Sequence, residues 1–394
     1  MVNNMHAAPA SPKLQSVPAP VYLDGFSTTP LAPEAREAML AAFDSPGNAS
    51  SQHSAGQRAA RLVEEARGRI AGLIGAAPAE IIFTSGATEA NNLAIAGVAR
   101  AARRAGSPRS RIIVSAVEHK AVLEPASALR AEGFAVELAP VDEFGRIDLR
   151  ALAALVDDRT LVVSVMAANN ETGVVQPVAA AAEIAHRSDA LFHSDAAQAA
   201  GKIGLDVGSI GADYLSLSAH KMYGPMGVGG LYVAAHALRP LPLAYGGGQE
   251  RSIRPGTEPI ALIAGFGAAA ALAAERLEEV ADVLRARADT LLDGLAKRQL
   301  RFTRITGSHD VIPGTAAILI EGADGEDLCL RLAREVLIST GSACSSGQLR
   351  RSHVLEAMGL SEADAGAVVR LFCGRFTSDA DVERAAERIV HASR

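Results

Sequence analysis

Ala190-Leu-Phe-His-Ser-Asp195, then Tyr214-Leu-Ser-Leu-Ser218, then Gly229-Gly-Leu-Tyr-Val-Ala234 form three short β-rich runs separated by glycines, aspartates and serines. Apolar residues make up half or more of each, and the polar ones are mostly small or at the end, the pattern of a strand covered on both faces. Upstream the same grammar recurs in Ile81-Ile-Phe-Thr-Ser85, Arg111-Ile-Ile-Val-Ser-Ala116, Phe134-Ala-Val-Glu-Leu-Ala139 and Thr160-Leu-Val-Val-Ser-Val-Met166, each followed by a helical pattern. Strands alternating with helices predict an α/β architecture, a mostly parallel sheet wrapped by helices. Ligands of such sheets sit beyond the carboxyl ends of the strands. The polar clusters Thr84-Ser85, Glu118-His119, Asn169-Asn170, Asp195 and Ser218-Ala-His220 fall at those ends, so they are expected to converge.

Pro259 to Leu300 reads as a long helix leaving the sheet, and the remainder alternates short strands and helices as a smaller α+β unit. The expected organisation is a disordered tail over 1–20, a large domain over 21–258, and an interdomain helix with a small C-terminal domain over 259–394. The first twenty residues mix Pro, Ala, Ser and Asn without an apolar stretch, unlike a signal peptide. The most apolar run, Ile260 to Ala274, falls short of the ~18 residues a membrane-spanning helix needs. No internal repeat is visible.

The 394 residues are 49% apolar and 4% aromatic with no Trp, which suits tightly packed helix-on-sheet layers of small residues. A formal charge of -6 offers no footprint for nucleic acid or an anionic membrane. A small anionic substrate remains compatible. Cys329, Cys344 and Cys373 are odd in number, widely spaced and without a CxxC pair, so neither a disulfide framework nor a metal site is suggested. A reducing, cytoplasmic location is expected.

Lys221 closes the apolar Tyr214–Ser218 run in a segment poor in charge. A lone lysine is most often a solvated surface charge, but a desolvated amine at a strand end loses its proton near neutral pH and attacks an aldehyde. Other positions supply the remaining needs of one aldehyde cofactor, pyridoxal phosphate. Thr84-Ser-Gly-Ala-Thr-Glu-Ala-Asn-Asn92 follows a strand and opens a helix, where free N–H groups and the Thr88 hydroxyl would hold a phosphate; read alone, it is an ordinary N-cap. Asp195, ending its strand, would keep a pyridine nitrogen protonated, although a strand-end Asp is commonly a turn residue. Gln198 and Asn170 lie where they would reach the ring oxygen, and His119 would stack on the ring and exchange protons, although a lone His is usually structural.

These segments, with Tyr22-Leu-Asp24, Thr28-Thr-Pro30, Gly47-Asn-Ala-Ser-Ser51, VEHKAVLEP, ANNETGVVQP, FHSDAAQ, SLSAHKMYGPMGVGGLYV, GGGQERSIRPGT, STGSACSSG and RLFCGRFT, resemble the cysteine desulfurases, class V members of the pyridoxal phosphate-dependent aminotransferases, from residue 21 to about 390. The resemblance implies an aspartate aminotransferase-like (type I) fold, a large mostly parallel sheet domain with a smaller C-terminal α+β domain. It implies that Lys221 is the Schiff-base lysine, His119 stacks on the ring, Asp195 pairs with the pyridine nitrogen, and Asn170 and Gln198 contact the ring oxygen. Ala87, Thr88, Ser218 and His220 would hold the phosphate, with Thr257 contributed by the second copy of a homodimer.

The same resemblance singles out Cys344, in a run of small and hydroxyl residues with no apolar anchor, as the thiol that takes sulfur from L-cysteine as a persulfide and leaves alanine. Arg370 would grip the substrate carboxylate with a fork that Lys cannot copy; a structural ion pair is the alternative. Cys329 and Cys373, with apolar neighbours, read as core. The spacing from Cys344 to Ser352 resembles the long-loop branch serving iron–sulfur cluster assembly, and an end directly after the last helix suggests a specialised sulfur acceptor rather than the standard scaffold.

The pattern departs from the family at Gly25-Phe26-Ser27, where an Asn- or Tyr-containing step ending in Ala is usual, at Ser252, commonly Gly, and at Phe372, commonly Ser. Rival readings are a selenocysteine lyase, a cystine lyase or an aminotransferase of the same fold, and a non-catalytic sulfur carrier or scaffold. A functional Cys344 separates the first group, and Lys221, Asp195 and Arg370 together argue against the second.

Overall fold

The computed structural model describes residues 19–341 and 352–394. Residues 1–18 of the expected tail, and Cys344, lie outside the described residues. The runs read above become β1 (Ile81–Thr84), β2 (Arg111–Ser115), β3 (Ala135–Ala139), β4 (Thr160–Ser164), β5 (Leu191–Asp195), β6 (Tyr214–Ser218) and β7 (Gly229–Val233). They form one seven-stranded sheet in the order β1-β7-β6-β5-β4-β2-β3. All neighbours from β6 to β3 are parallel, whereas β7 runs antiparallel between β6 and β1. The reason is the short β6–β7 link, since a parallel crossover needs a dozen or more residues. β4, β6 and β7 are buried along their whole length. β3 differs from the expected two-sided burial: as the sheet edge it leaves Ala135 and Leu138 exposed, which is how a strand with only one neighbour behaves.

Because β1, β2, β4, β5 and β6 all point the same way, their carboxyl ends share one rim. At that rim β7 approaches the turn after β1 so closely that a Cβ on Gly229 would lie 2.6 Å from Gly86 Cα and 2.4 Å from Leu217 O. Gly86 itself has φ +152°, in the range that favours glycine.

A second, three-stranded antiparallel sheet is built from β8 (Phe302–Arg304), β9 (Thr315–Ile320) and β10 (Val368–Phe372), with β9 central. Its core is completed by Val21 and Leu23 from the start of the described chain. Val21–Tyr22 pairs in parallel with Val336–Leu337, and Phe372 N donates to Leu23 O at 2.8 Å. The N-terminal segment is thereby stitched to the C-terminal unit before it turns into the rim as Asp24–Thr29.

The expected Pro259–Leu300 helix is observed as Ile260–Lys297, with a non-helical Arg276 inside. Its extent exceeds the apolar run read from sequence, and by length and composition alone it is the one helix among the described residues able to cross a membrane. Its apolar residues are instead taken up by packing against helices Pro33–Phe43 and Ser54–Leu73, and its distal half against Asp379–Ala392.

Ser252 explains one departure. Glu250, Arg251 and Ser252 have φ of 44°, 58° and 61°, a left-handed run where glycine is favoured and each other residue costs ~1–2 kcal/mol. The run persists because buried Glu250 overdetermines it: its carboxylate takes both arms of buried Arg67 at 2.7 and 2.9 Å and Phe83 N at 2.7 Å. Glu250→Ala would leave the Arg67 charge buried without its main partner. The expected cost is about 3–5 kcal/mol of unfolding free energy, read by chemical denaturation; a loss below about 1 kcal/mol would show that the pair is dispensable.

Candidate active site

Most of the expected residues arrive at the rim behind the carboxyl ends of β1, β2, β4, β5 and β6, and Arg370 reaches it from β10. After β1, the Ser85-Gly86 turn starts the helix Ala87–Asn92, which continues through a π-turn at Leu93–Gly97 to Arg104. Thr84 Oγ1 donates to Gly86 O at 3.0 Å and fixes the turn, so the N–H groups of Ala87 and Thr88 open the helix toward the rim. After β2, His119 caps helix Lys120–Ala128, its Nδ1 accepting from Ala121 N at 3.1 Å. Nδ1 is therefore the unprotonated nitrogen. Burial, against partial opposition from Asp195, lowers the His119 pKa, and Lys221 and His353 lower it further. The ring is neutral at physiological pH, as a stacking and proton-exchanging group requires.

Asp195 ends β5 almost fully buried, accepting from Ala197 N at 2.9 Å and from Asn91 Nδ2 at 2.6 Å. Asn91 is a site residue that the sequence reading missed. An Asn wholly buried inside a helix is costly without a polar target, and that was the available signal. Behind His119, Glu118 is fully buried; desolvation and then Asp195 push its carboxyl well above the usual range, while Oε1 accepts from Met166 N at 2.6 Å.

After β6, Ser218 is buried and the turn Ala219–Lys221 presents His220 and Lys221. Burial, then Lys221 and Lys202, depress His220 to about 4. Its Nδ1 lies 3.1 Å from Thr28 Oγ1, and a neutral ring is left to offer a hydrogen bond. Lys221 Nζ donates to Phe26 O at 2.5 Å and to Ser27 O at 2.8 Å. Gln198 Nε2 donates to the same Phe26 carbonyl at 2.9 Å, and its Oε1 accepts from Lys202 at 3.0 Å. One Nε2 hydrogen of Gln198 is left for a ligand. Asn170 Oδ1 is buried with no partner.

Arg370, on β10, is buried and reaches over to the rim. Its Nη1 donates to Asn170 O at 2.6 Å, and its Nη2 to Asp24 Oδ1 and Ser27 Oγ at 2.9 Å and to Ser339 Oγ at 2.6 Å. The ion pair weighed as an alternative is thus real: Asp24 holds Arg370 in place. Nε has no partner, so the guanidinium still has capacity. Thr257 is exposed on the segment that follows Arg254, which pairs with Glu89 at 3.3 Å beside the phosphate-type turn.

The departures at Gly25-Phe26-Ser27 and Phe372 turn out to compensate one another. A Cβ on Gly25 would lie 2.2 Å from Phe372 Cδ1, so the larger ring demands glycine there. Phe26 and Phe372 pack with centroids 5.0 Å apart, and the buried Lys202 amine sits 5.3 and 5.2 Å from the two rings. Burial first, then Lys221 and Arg370, push Lys202 well below its usual pKa. Ser27, where Ala is usual, adds the hydroxyl that bridges Asp24 and Arg370.

An aminotransferase class-V family model matches residues 21–384. The chain belongs to that family. Over 381 residues the chain is 42% identical to the cysteine desulfurase IscS of Rickettsia akari, covering 96% of the chain and 92% of the relative. The solved structure of a NifS-like protein superposes with a TM-score of 0.87 at 34% identity, covering 94% of this chain and 98% of the other. That of SspA in complex with cysteine gives 0.78 at 36%, covering 89% and 98%. Enzymes of the class-V family depend on pyridoxal phosphate, and the residues present fit it. A buried carboxylate, a lysine amine, the side-chain amide of Asn170 with its buried oxygen unpartnered, and a helix N-terminus share one rim, matching in chemistry a protonated pyridine nitrogen, an aldehyde, a ring hydroxyl and a phosphate.

Proposed function

We propose that this member of the class-V family is a cysteine desulfurase that converts L-cysteine to L-alanine and passes the sulfur, through a persulfide on Cys344, to an acceptor protein such as an iron–sulfur scaffold. One observation carries the reading. Ser27 accepts from Lys221 through its carbonyl and from Arg370 through its hydroxyl. The amine and the guanidinium therefore converge on one residue, an arrangement that suits a small α-amino acid with its amino and carboxylate groups close together.

When bound, pyridoxal phosphate supplies an electron sink for the substrate's α-carbon. Asp195, oriented by Asn91, would hold the proton on the pyridine nitrogen. Asn170 and Gln198 would fix the ring oxygen; Ala87, Thr88, Ser218 and His220 would hold the phosphate, and Thr257 would join from the second copy of a homodimer. Arg370 fixes the carboxylate. Lys221 would take and return protons at its Nζ, and His119 would serve the opposite side of the transfer. Cys344 as thiolate attacks the substrate sulfur: an S–S bond forms as the C–S bond breaks, and the electron pair stays on the carbon that, after protonation, becomes the methyl group of alanine. A reduced Cys344 requires a reducing compartment, which supports a cytoplasmic site of action.

Alanine formation from purified holoenzyme and L-cysteine tests the proposal, with L-selenocysteine and a keto-acid acceptor run beside it. Turnover of L-cysteine without any keto acid is expected; strict dependence on a keto acid would instead make the protein a transaminase. Arg370→Lys should raise KM for L-cysteine at least about tenfold, because a point charge replaces a bidentate fork. An unchanged KM would remove Arg370 from substrate binding.

A further inference from the structure

Glu171 carries a buried carboxylate that no step above uses. Its backbone is fixed by Asn169, whose Oδ1 takes the N–H of Glu171 at 2.8 Å and of Thr172 at 2.9 Å while its Nδ2 donates to Val117 O at 2.9 Å. The Glu171 side chain then meets two segments far away in sequence. Ser352 Oγ accepts from Leu355 N at 3.2 Å as the N-cap of helix His353–Ala357, and donates its own proton to Glu171 Oε2. A Cβ built on Gly341 would lie 2.4 Å from that same oxygen, so the segment ending at Gly341 abuts it. Gly341 and Ser352 are the described residues on either side of 342–351. Cys344 follows the first by three positions and precedes the second by eight.

We propose that Glu171 is a positioning residue for sulfur transfer: one carboxylate oxygen accepts from Ser352 and lies against Gly341, the two residues that flank the Cys344 segment, beside the Asn170 carbonyl that receives Arg370. The proposal rests on the desulfurase reading. It needs no contact of Glu171 with substrate or cofactor. The charged groups that face the carboxylate are Arg370 from β10 and Lys120 from the start of helix Lys120–Ala128. Burial outweighs both of them and the Ser352 hydrogen bond, and pushes the carboxyl up to about 7. As pH rises through that value the neutral carboxyl becomes a carboxylate, whose hydrogen bond from Ser352 is charge-assisted and tighter. Tethering therefore strengthens on the alkaline side.

The test uses holoenzyme mixed once with L-cysteine between about pH 6 and pH 9, bracketing the neutral range. Two signals are followed: the change in visible absorbance, which reports substrate arrival, and persulfide on the protein. Glu171→Ala and Ser352→Gly should each slow persulfide formation about tenfold to a hundredfold, as misplaced reactants do, with the absorbance change kept at the wild-type rate. Glycine serves nearly as well as serine at an N-cap, so Ser352→Gly separates a lost tether from a lost helix. Glu171→Gln should abolish the inflection near pH 7 in persulfide formation, while inflections from the thiols themselves persist in every variant. A wild-type persulfide rate in Glu171→Ala would overturn the proposal, as would equal slowing of both signals, which would make Glu171 a support for Arg370. Wild-type enzyme that forms no persulfide at all would instead sink the desulfurase reading.

Discussion

Lys221→Ala is expected to abolish the visible band of lysine-linked cofactor and to lower alanine formation about 10²–10⁴-fold, the range for a lost proton-transfer group. The effect is large because nothing nearby can substitute. The closest other amine, Lys202, is enclosed between Phe26 and Phe372 and already committed to Gln198. Nor should the protein unfold. Of the two carbonyls that accept from Lys221, Phe26 O keeps its bond from Gln198, and Ser27 O loses this one, at about 1–3 kcal/mol. Absorbance and alanine release measured together decide the matter. A variant that keeps both would remove Lys221 from the chemistry, whereas one that loses both but melts like wild type places the lysine where the rim geometry puts it.

Cys344→Ser should remove protein-bound persulfide entirely while the substrate-induced absorbance change remains. The two described cysteines cannot take over. Burial raises the Cys329 thiol to about 11, aided by Asp24 and Glu326, and raises the Cys373 thiol to about 12 against a small opposing effect of Arg287. At pH 7 that leaves thiolate fractions on the order of 10⁻⁴ and 10⁻⁵, and Cys373 is also only 1% exposed. Cys329→Ser and Cys373→Ser are accordingly expected to keep persulfide formation. Sulfur label retained on Cys344→Ser protein would show that another residue is the acceptor.

The sheet was legible because its strands are apolar runs with sharp polar ends, and strand-end position alone brought His119, Asn170, Asp195, Ser218 and Lys221 together. Three features escaped that logic for physical reasons. The antiparallel β7 follows from connection length rather than from residue pattern. β3 carries a strand-like sequence, but its exposure follows from its place at the sheet edge, a long-range fact. Asn91, Lys202 and Glu171 look like ordinary helix or turn residues until a tertiary contact supplies the partner: Asp195, the Phe26–Phe372 pair, and Ser352. The Gly25 and Phe372 departures make the same point in reverse. Each reads as an isolated oddity in sequence, and only the contact between them shows that one requires the other.

The most direct measurement of the central claim is the intact mass of the holoenzyme and of its Cys344 peptide after a single addition of L-cysteine, with alanine quantified in the same sample. The account predicts a gain of one sulfur atom on Cys344 and one alanine released for each sulfur gained. Alanine without added sulfur on that peptide, or sulfur located on Cys329 or Cys373, would contradict it.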